Sequence, residues 1–143
     1  MKKLFALAIT VFLVFAACKK EEPLNLEAFS PQGFAFDLGD IWEVNATVRV
    51  KGFQQNRNDE TKEFSATIFY KVDIEKPNGE AKEDVFNFVK EINNHERLLD
   101  VGLESQFELS SDYEAGIYRL IYHIKDELSG METKAIVEVE LQK

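Results

Sequence analysis

Between Phe64 and Glu75, apolar and polar side chains alternate. Phe64, Ala66, Ile68, Tyr70, Val72 and Ile74 share one parity, and Ser65, Thr67, Phe69, Lys71, Asp73 and Glu75 share the other. Successive residues of a strand project to opposite faces, so this period of two predicts a strand with one face in a core and one toward solvent. A helix would need its apolar residues every three or four positions. The pattern recurs where Trp42, Val44, Ala46, Val48 and Val50 alternate with Glu43, Asn45, Thr47, Arg49 and Lys51. A half-buried strand cannot cover its apolar face alone, so these two stretches commit the chain to a layered sheet structure.

The remaining sequence adds strands of the same kind. Phe34 and Phe36 alternate with Ala35 and Asp37 before a turn signal at Leu38-Gly39-Asp40. Gln54 to Lys62 is polar and reads as an exposed loop. Lys76-Pro77-Asn78-Gly79-Glu80 reads as a turn whose Asn-Gly accepts positive φ. Leu99, Val101, Leu103, Phe107 and Leu109 form one apolar row, and Tyr118, Leu120, Tyr122 and Ile124 form another. A hairpin turn spans Asp126 to Met131, and Val137, Val139 and Leu141 follow. Asp84 to Leu98 fits two templates. Phe86 and Phe88 set between Val85, Asn87 and Val89 suit a strand, whereas Val85, Phe88, Val89 and Ile92 match helical spacing. A short strand near Val85–Lys90 agrees better with its β surroundings. About seven strands at intervals of roughly 10–15 residues predict an all-β, antiparallel sandwich over residues 31–143.

Composition permits this and narrows the partners. All of the twelve phenylalanines except Phe5, Phe12 and Phe15 lie after Cys18, together with four tyrosines and Trp42, which is ample apolar material for one core. The whole chain carries a net charge of −9. Residues 1–17 hold two lysines and no acid, so the chain from Cys18 onward carries −11. Phosphate binding needs clustered Lys and Arg, so nucleic acid is not an expected partner.

The N-terminus reads as an address. Lys2 and Lys3 precede an apolar run from Leu4 to Phe15, and Ala16-Ala17 follow as small residues. This is the layout of a secretory signal, here a signal helix over residues 1–17, and the run falls short of the ~20 apolar residues of a permanent span. Cys18 is the only cysteine, so it has no disulfide partner within the chain. Phe15-Ala16-Ala17-Cys18 resembles the lipobox of bacterial lipoproteins, with Phe15 where that family usually has Leu. The resemblance implies cleavage before Cys18 and lipid on its thiol. Lys19-Lys20-Glu21-Glu22 resembles the charged export motif of surface lipoproteins in Bacteroidota-type bacteria. It implies an outer-membrane, lipid-anchored protein at the cell surface, a periplasm-facing position being the alternative. Residues 18–30, with Pro23, read as a lipidated tether, and Leu24, Leu26 and Phe29 are candidates to dock on the domain as a first edge strand.

A second resemblance covers the last part of the chain. Glu114-Ala115-Gly116-Ile117-Tyr118-Arg119-Leu120, then Asp126 and Ser129-Gly130, is similar to the penultimate strand and hairpin of bacterial immunoglobulin-like domains. It implies an immunoglobulin-like sandwich with Tyr118 as a tyrosine-corner residue.

The sequence offers no catalytic set. His95 and His123 are far apart and have no ligand spacing; both read as exposed. No Gly-x-Ser-x-Gly or phosphate-binding glycine loop occurs. Three groups of acids, Asp37 with Asp40, Asp112 with Glu114, and Asp59, Glu60 and Glu63, lack EF-hand spacing, so neither metal nor cofactor is expected. Asn45-Ala46-Thr47 matches a glycosylation sequon but falls mid-strand. Phe69 is the oddity, an aromatic on the polar parity of its strand. The expectation is a non-catalytic binding or assembly module with an envelope or extracellular protein partner, contacts falling on sheet edges and loops such as Gln54–Lys62. The alternative is an acidic periplasmic inhibitor of a cationic, lysozyme-like enzyme.

Overall fold

The computed structural model describes residues 23–142. The signal segment, Cys18 and Lys19–Glu22 lie outside the described residues. The chain forms β1 (Glu27–Asp37), β2 (Ile41–Lys51), β3 (Asn56–Arg57), β4 (Phe64–Glu75), β5 (Ala81–Asn94), β6 (Asp100–Ser110), β7 (Gly116–Asp126) and β8 (Glu132–Leu141). All pairings are antiparallel. One sheet runs β1-β2-β6. In the other, β5 lies along one side of β4, while β7 and then β8 follow on its other side. The two-residue β3 shares that other side, against Phe64 and Ser65. The seven long strands follow the immunoglobulin-like Greek-key order, with the fourth of them moved across to join the sheet of β4, β7 and β8.

The alternating parities set the core. Trp42, Val44, Val48 and Val50 of β2 face Ile68, Tyr70, Val72 and Ile74 of β4 and Leu120, Tyr122 and Ile124 of β7, and all are at most 2% exposed. A slip of one residue in β4 would turn this whole set outward, and each large side chain contributes about 1.5–3 kcal/mol by burial. The register is therefore strongly specified.

Phenylalanine supplies little of the core, contrary to expectation. Among the phenylalanines of the described residues Phe53 alone is fully buried, while Phe34, Phe36 and Phe88 are more than half exposed. In β1 the inward residue is Ala35, opposite Val44, and Phe34 and Phe36 turn outward opposite Asn45 and Glu43. A small residue is required there because β1 lies close over β8. A β-carbon on Gly33 would come within 2.6 Å of Val139 Cγ1 and 2.7 Å of Val137 Cγ1.

Three boundaries differ from those read in the sequence. The folded unit starts before residue 31: Leu26 is buried, β1 takes up Glu27–Ser30, and the Asn25 backbone lies directly on Gly52, whose φ is +73°. The strand reading favoured near Val85–Lys90 holds, but β5 runs from Ala81 to Asn94, longer than expected because it pairs along β4 from Phe64 to Glu75, and residues 95–98 lie outside it. Leu99 precedes β6 and is 86% exposed, so it does not belong to the apolar row of that strand.

Candidate functional site

The outer face of the sheet of β4, β5, β7 and β8 collects the unusual residues. Register places Phe69 of β4 between Val89 of β5 and Lys125 of β7. In the next row Lys71 stands opposite His123, and His123 opposite Lys134 of β8. In the row beyond, Asp73 stands opposite Ile121, and Ile121 opposite Ile136. A groove of about 350 Å³ runs over this face, lined by Phe69, Lys71, His123, Lys125, Glu132 and Lys134 among others.

Asp73 organises the centre of the face. His123 Nε2 lies 2.6 Å from its Oδ2, and the Asp84 backbone N–H donates to its Oδ1 at 2.8 Å. The Lys71 ammonium lies 3.7 Å from Oδ1. Asp73 is only 8% exposed although it belongs to the solvent parity of β4. The reason is local. Between Phe86, opposite Val72, and Lys82, opposite Ile74, β5 carries extra residues, and Asp84 takes a φ of +53°. That bulge brings β5 backbone onto the carboxylate. Burial alone would raise the Asp73 carboxyl; the Asp84 N–H, the His123 hydrogen bond and charge, and Lys71 outweigh it and hold it below the usual carboxylate range.

Three lysines on this face are matched by three carboxylates, Asp73, Glu127 and Glu132. Lys71, Lys125, Lys134 and His123 put basic nitrogen around a half-buried aromatic ring, and Glu127 pairs with Lys125 at 3.3 Å on the rim. Lys134 carries no ion pair among the described residues. Sequence parity placed Phe69 and His123 on this face. It did not reveal the Asp73–His123 pair, because the two residues lie fifty positions apart and only the β4–β7 register joins them. His123 is therefore a paired, largely covered side chain and not a free surface histidine.

The other candidates do not converge here. The His95 side chain is 80% exposed and 3.8 Å from Glu63. It follows Asn94, whose partner on β4 is Phe64, seven residues or roughly 20 Å along that strand from Lys71. The stretch Gln54–Lys62 is more ordered than an exposed loop. Gln55 brackets Leu98, accepting its N–H at 2.8 Å and donating to its carbonyl at 2.9 Å, and Asn58 accepts the N–H groups of Glu60 and Thr61. Asp37 accepts the Gly39 N–H in its turn, and Asp112 accepts the Ser110 hydroxyl. Asn45 is an ordinary strand residue whose amide donates to Glu43.

Two polar clusters whose partners the sequence did not reveal hold the scaffold under the groove. Asp126 is fully buried. It accepts the Gln54 N–H at 2.7 Å, the Ser129 hydroxyl at 2.6 Å and the Leu128 N–H at 3.0 Å, which explains the Asp-x-x-Ser-Gly turn. Tyr122 and Tyr70 stack at 6.1 Å inside the sandwich. The Tyr122 hydroxyl meets buried Ser105 at 2.5 Å, and Tyr70 donates to the Glu104 carbonyl. Burial pushes both phenols up to about 12. The tyrosine corner is present, Tyr118 donating to the Glu114 carbonyl at 2.9 Å.

No family model and no curated protein matches the chain. Among solved structures it is similar to a structural-genomics target, SoR45, at 16% identity over 82% of this chain and 86% of that one, with a TM-score of 0.44. It is also similar to a Bordetella pertussis protein described as ApaA, at 15% identity over 84% and 94% of the two chains, TM-score 0.41. A family 123 glycoside hydrolase from Clostridium perfringens matches at 8% identity and TM-score 0.46, over 71% of this chain but 21% of its own. Likenesses this distant carry nothing about function.

Proposed function

We propose that this chain is a lipid-anchored cell-envelope protein, held by lipid on Cys18 and carried to the cell surface through Lys19–Glu22. Its immunoglobulin-like sandwich is a non-catalytic binding or assembly module. The observation that supports this reading is the groove around Phe69, where an aromatic ring on the solvent parity of its strand is flanked by lysines. Here Lys71, Lys125 and Lys134 share one face with His123. Lys71 and Lys125 are paired with Asp73 and Glu127, so Lys134, without an ion pair among the described residues, is the cation left to meet an anionic partner.

Chromatography on a sulfated-polysaccharide matrix tests the groove. The protein should be retained at low salt and released as salt rises, and Lys71→Glu/Lys134→Glu should pass unretained. Passage of the unaltered protein through the matrix at low salt overturns the anion-binding reading. Metabolic labelling with an alkyne fatty acid tests the anchor: the intact chain should take up label, and Cys18→Ala should not.

A further inference from the structure

We infer that the free edge of β5 pairs with the β5 edge of a second copy of this chain, giving an antiparallel dimer about a two-fold axis through Asn87. β5 is the longest strand of the fold, and it pairs with β4 alone among the described residues. An edge of this length leaves a row of backbone groups open to another strand. Its middle is apolar on both faces, and Phe88 and Val89 are 51% and 50% exposed.

The sequence of this edge says which strand fits it. Asp84-Val85-Phe86-Asn87-Phe88-Val89-Lys90 reads almost alike in both directions from Asn87. A two-fold there sets Phe86 against the second copy's Phe88 and Val85 against its Val89. The Asp84 carboxylate then meets the second copy's Lys90. Symmetry makes each contact twice, as an isologous interface requires. The parities agree within the regular ladder: Phe86 and Phe88 lie on the face of β5 toward the β1-β2-β6 sheet and Asn87 and Val89 on the outer face, while Val85 falls in the bulge and packs partly against the core. Neighbouring registers lose the match. A two-fold at Phe88 sets Phe86 against Lys90 and Val85 against Glu91; one at Phe86 sets Lys82 against Lys90 and Glu83 against Val89. The regular β4–β5 ladder ends at Phe86, and Val85 and Asp84, the last positions of the self-match on that side, lie in the bulge. A two-fold perpendicular to the sheet keeps both outer faces on one side, so the dimer presents two grooves in parallel. The edge pairing itself does not depend on what those grooves bind.

Cysteine cross-linking in the full chain tests this. Facing residues of an antiparallel pair have Cα atoms about 4.5–5.5 Å apart, within the roughly 4.4–6.8 Å that a disulfide spans. Asn87→Cys should therefore be linked into dimers by mild oxidation. Val85→Cys, whose copies are offset by four residues or ~13 Å, should link no more than the parent chain with Cys18 alone. Val89→Glu added to Asn87→Cys should slow linking by about tenfold, since each lost pair counts twice, with an unchanged far-ultraviolet spectrum showing intact strands. Linking of Asn87→Cys at the rate of Val85→Cys, or linking indifferent to Val89→Glu, overturns the proposal.

Discussion

Replacing Asp126 by alanine should cost about 3–4 kcal/mol of stability. The carboxylate is fully buried and accepts three hydrogen bonds. Bonds to a charged acceptor are each worth about 1.5–3 kcal/mol, but the three are not lost equally. Ser129 and Leu128 belong to an exposed turn, where water can replace the missing oxygen. The Gln54 N–H comes from a segment 72 residues away, next to buried Phe53, and loses its partner in a largely dry site. A stranded buried donor costs about 1–3 kcal/mol, and the weakened turn adds the remainder. The loss also uncouples the connection after β2 from the β7–β8 hairpin. A domain of this size has about 5–15 kcal/mol in all, so the variant should fold but melt about 10–20 °C lower. Urea titration of the parent, Asp126→Ala and Ser129→Ala gives the comparison, with Ser129→Ala expected to cost about 1 kcal/mol. An Asp126→Ala cost below about 1 kcal/mol, or one equal to that of Ser129→Ala, would refute the reasoning.

Three further perturbations follow from the same geometry. Asp73 is held below the ordinary carboxyl value of 3.8, so its contribution is present above that pH and is lost as pH falls through the lowered folded value. Asp73→Asn should lose less stability than the parent as pH falls below the ordinary carboxyl value in urea titrations; equal losses would contradict the ion-pair account. Tyr70 and Tyr122 are raised from 10.0 to about 12, chiefly by burial, so their neutral-form stabilisation is complete below pH 10 and is lost as pH rises through about 12. Phenolate absorbance at about pH 11 should therefore fall short of four tyrosines until the fold is unfolded. Gly33→Ala should cost about 1–3 kcal/mol, because the added methyl overlaps both Val137 and Val139. A melt unchanged from the parent would show that β1 lifts away from β8 freely.

The parts of this fold that depend on local pattern were legible, and those that depend on distant partners were not. Strands β2, β4 and β7 announce themselves because each has one fully buried face. The tyrosine corner was visible because Tyr118 reaches only four residues back. The phenylalanines misled because β1 and β5 are edge strands. Gly33 leaves β1 too close to β8 for an inward ring, and the inward Phe88 of β5 stays half exposed at the margin of its sheet. Ser105 sits in the apolar row of β6 with no warning in its neighbours, since its partner Tyr122 comes from the opposite sheet. The groove was half legible. The parity of Phe69 pointed to that face, but the convergence of Lys71, His123 and Lys134 is a product of strand order, and the burial of Asp73 is a product of the β5 bulge.

The account rests most heavily on a folded domain displayed outside the cell from lipid on Cys18. Intact bacterial cells making the protein would be treated with a membrane-impermeant amine-reactive biotin, with a known periplasmic protein followed alongside. The account predicts that this chain is labelled in intact cells while the periplasmic control is not. Labelling of both proteins only after the outer membrane is opened would contradict it and place the domain inside the envelope.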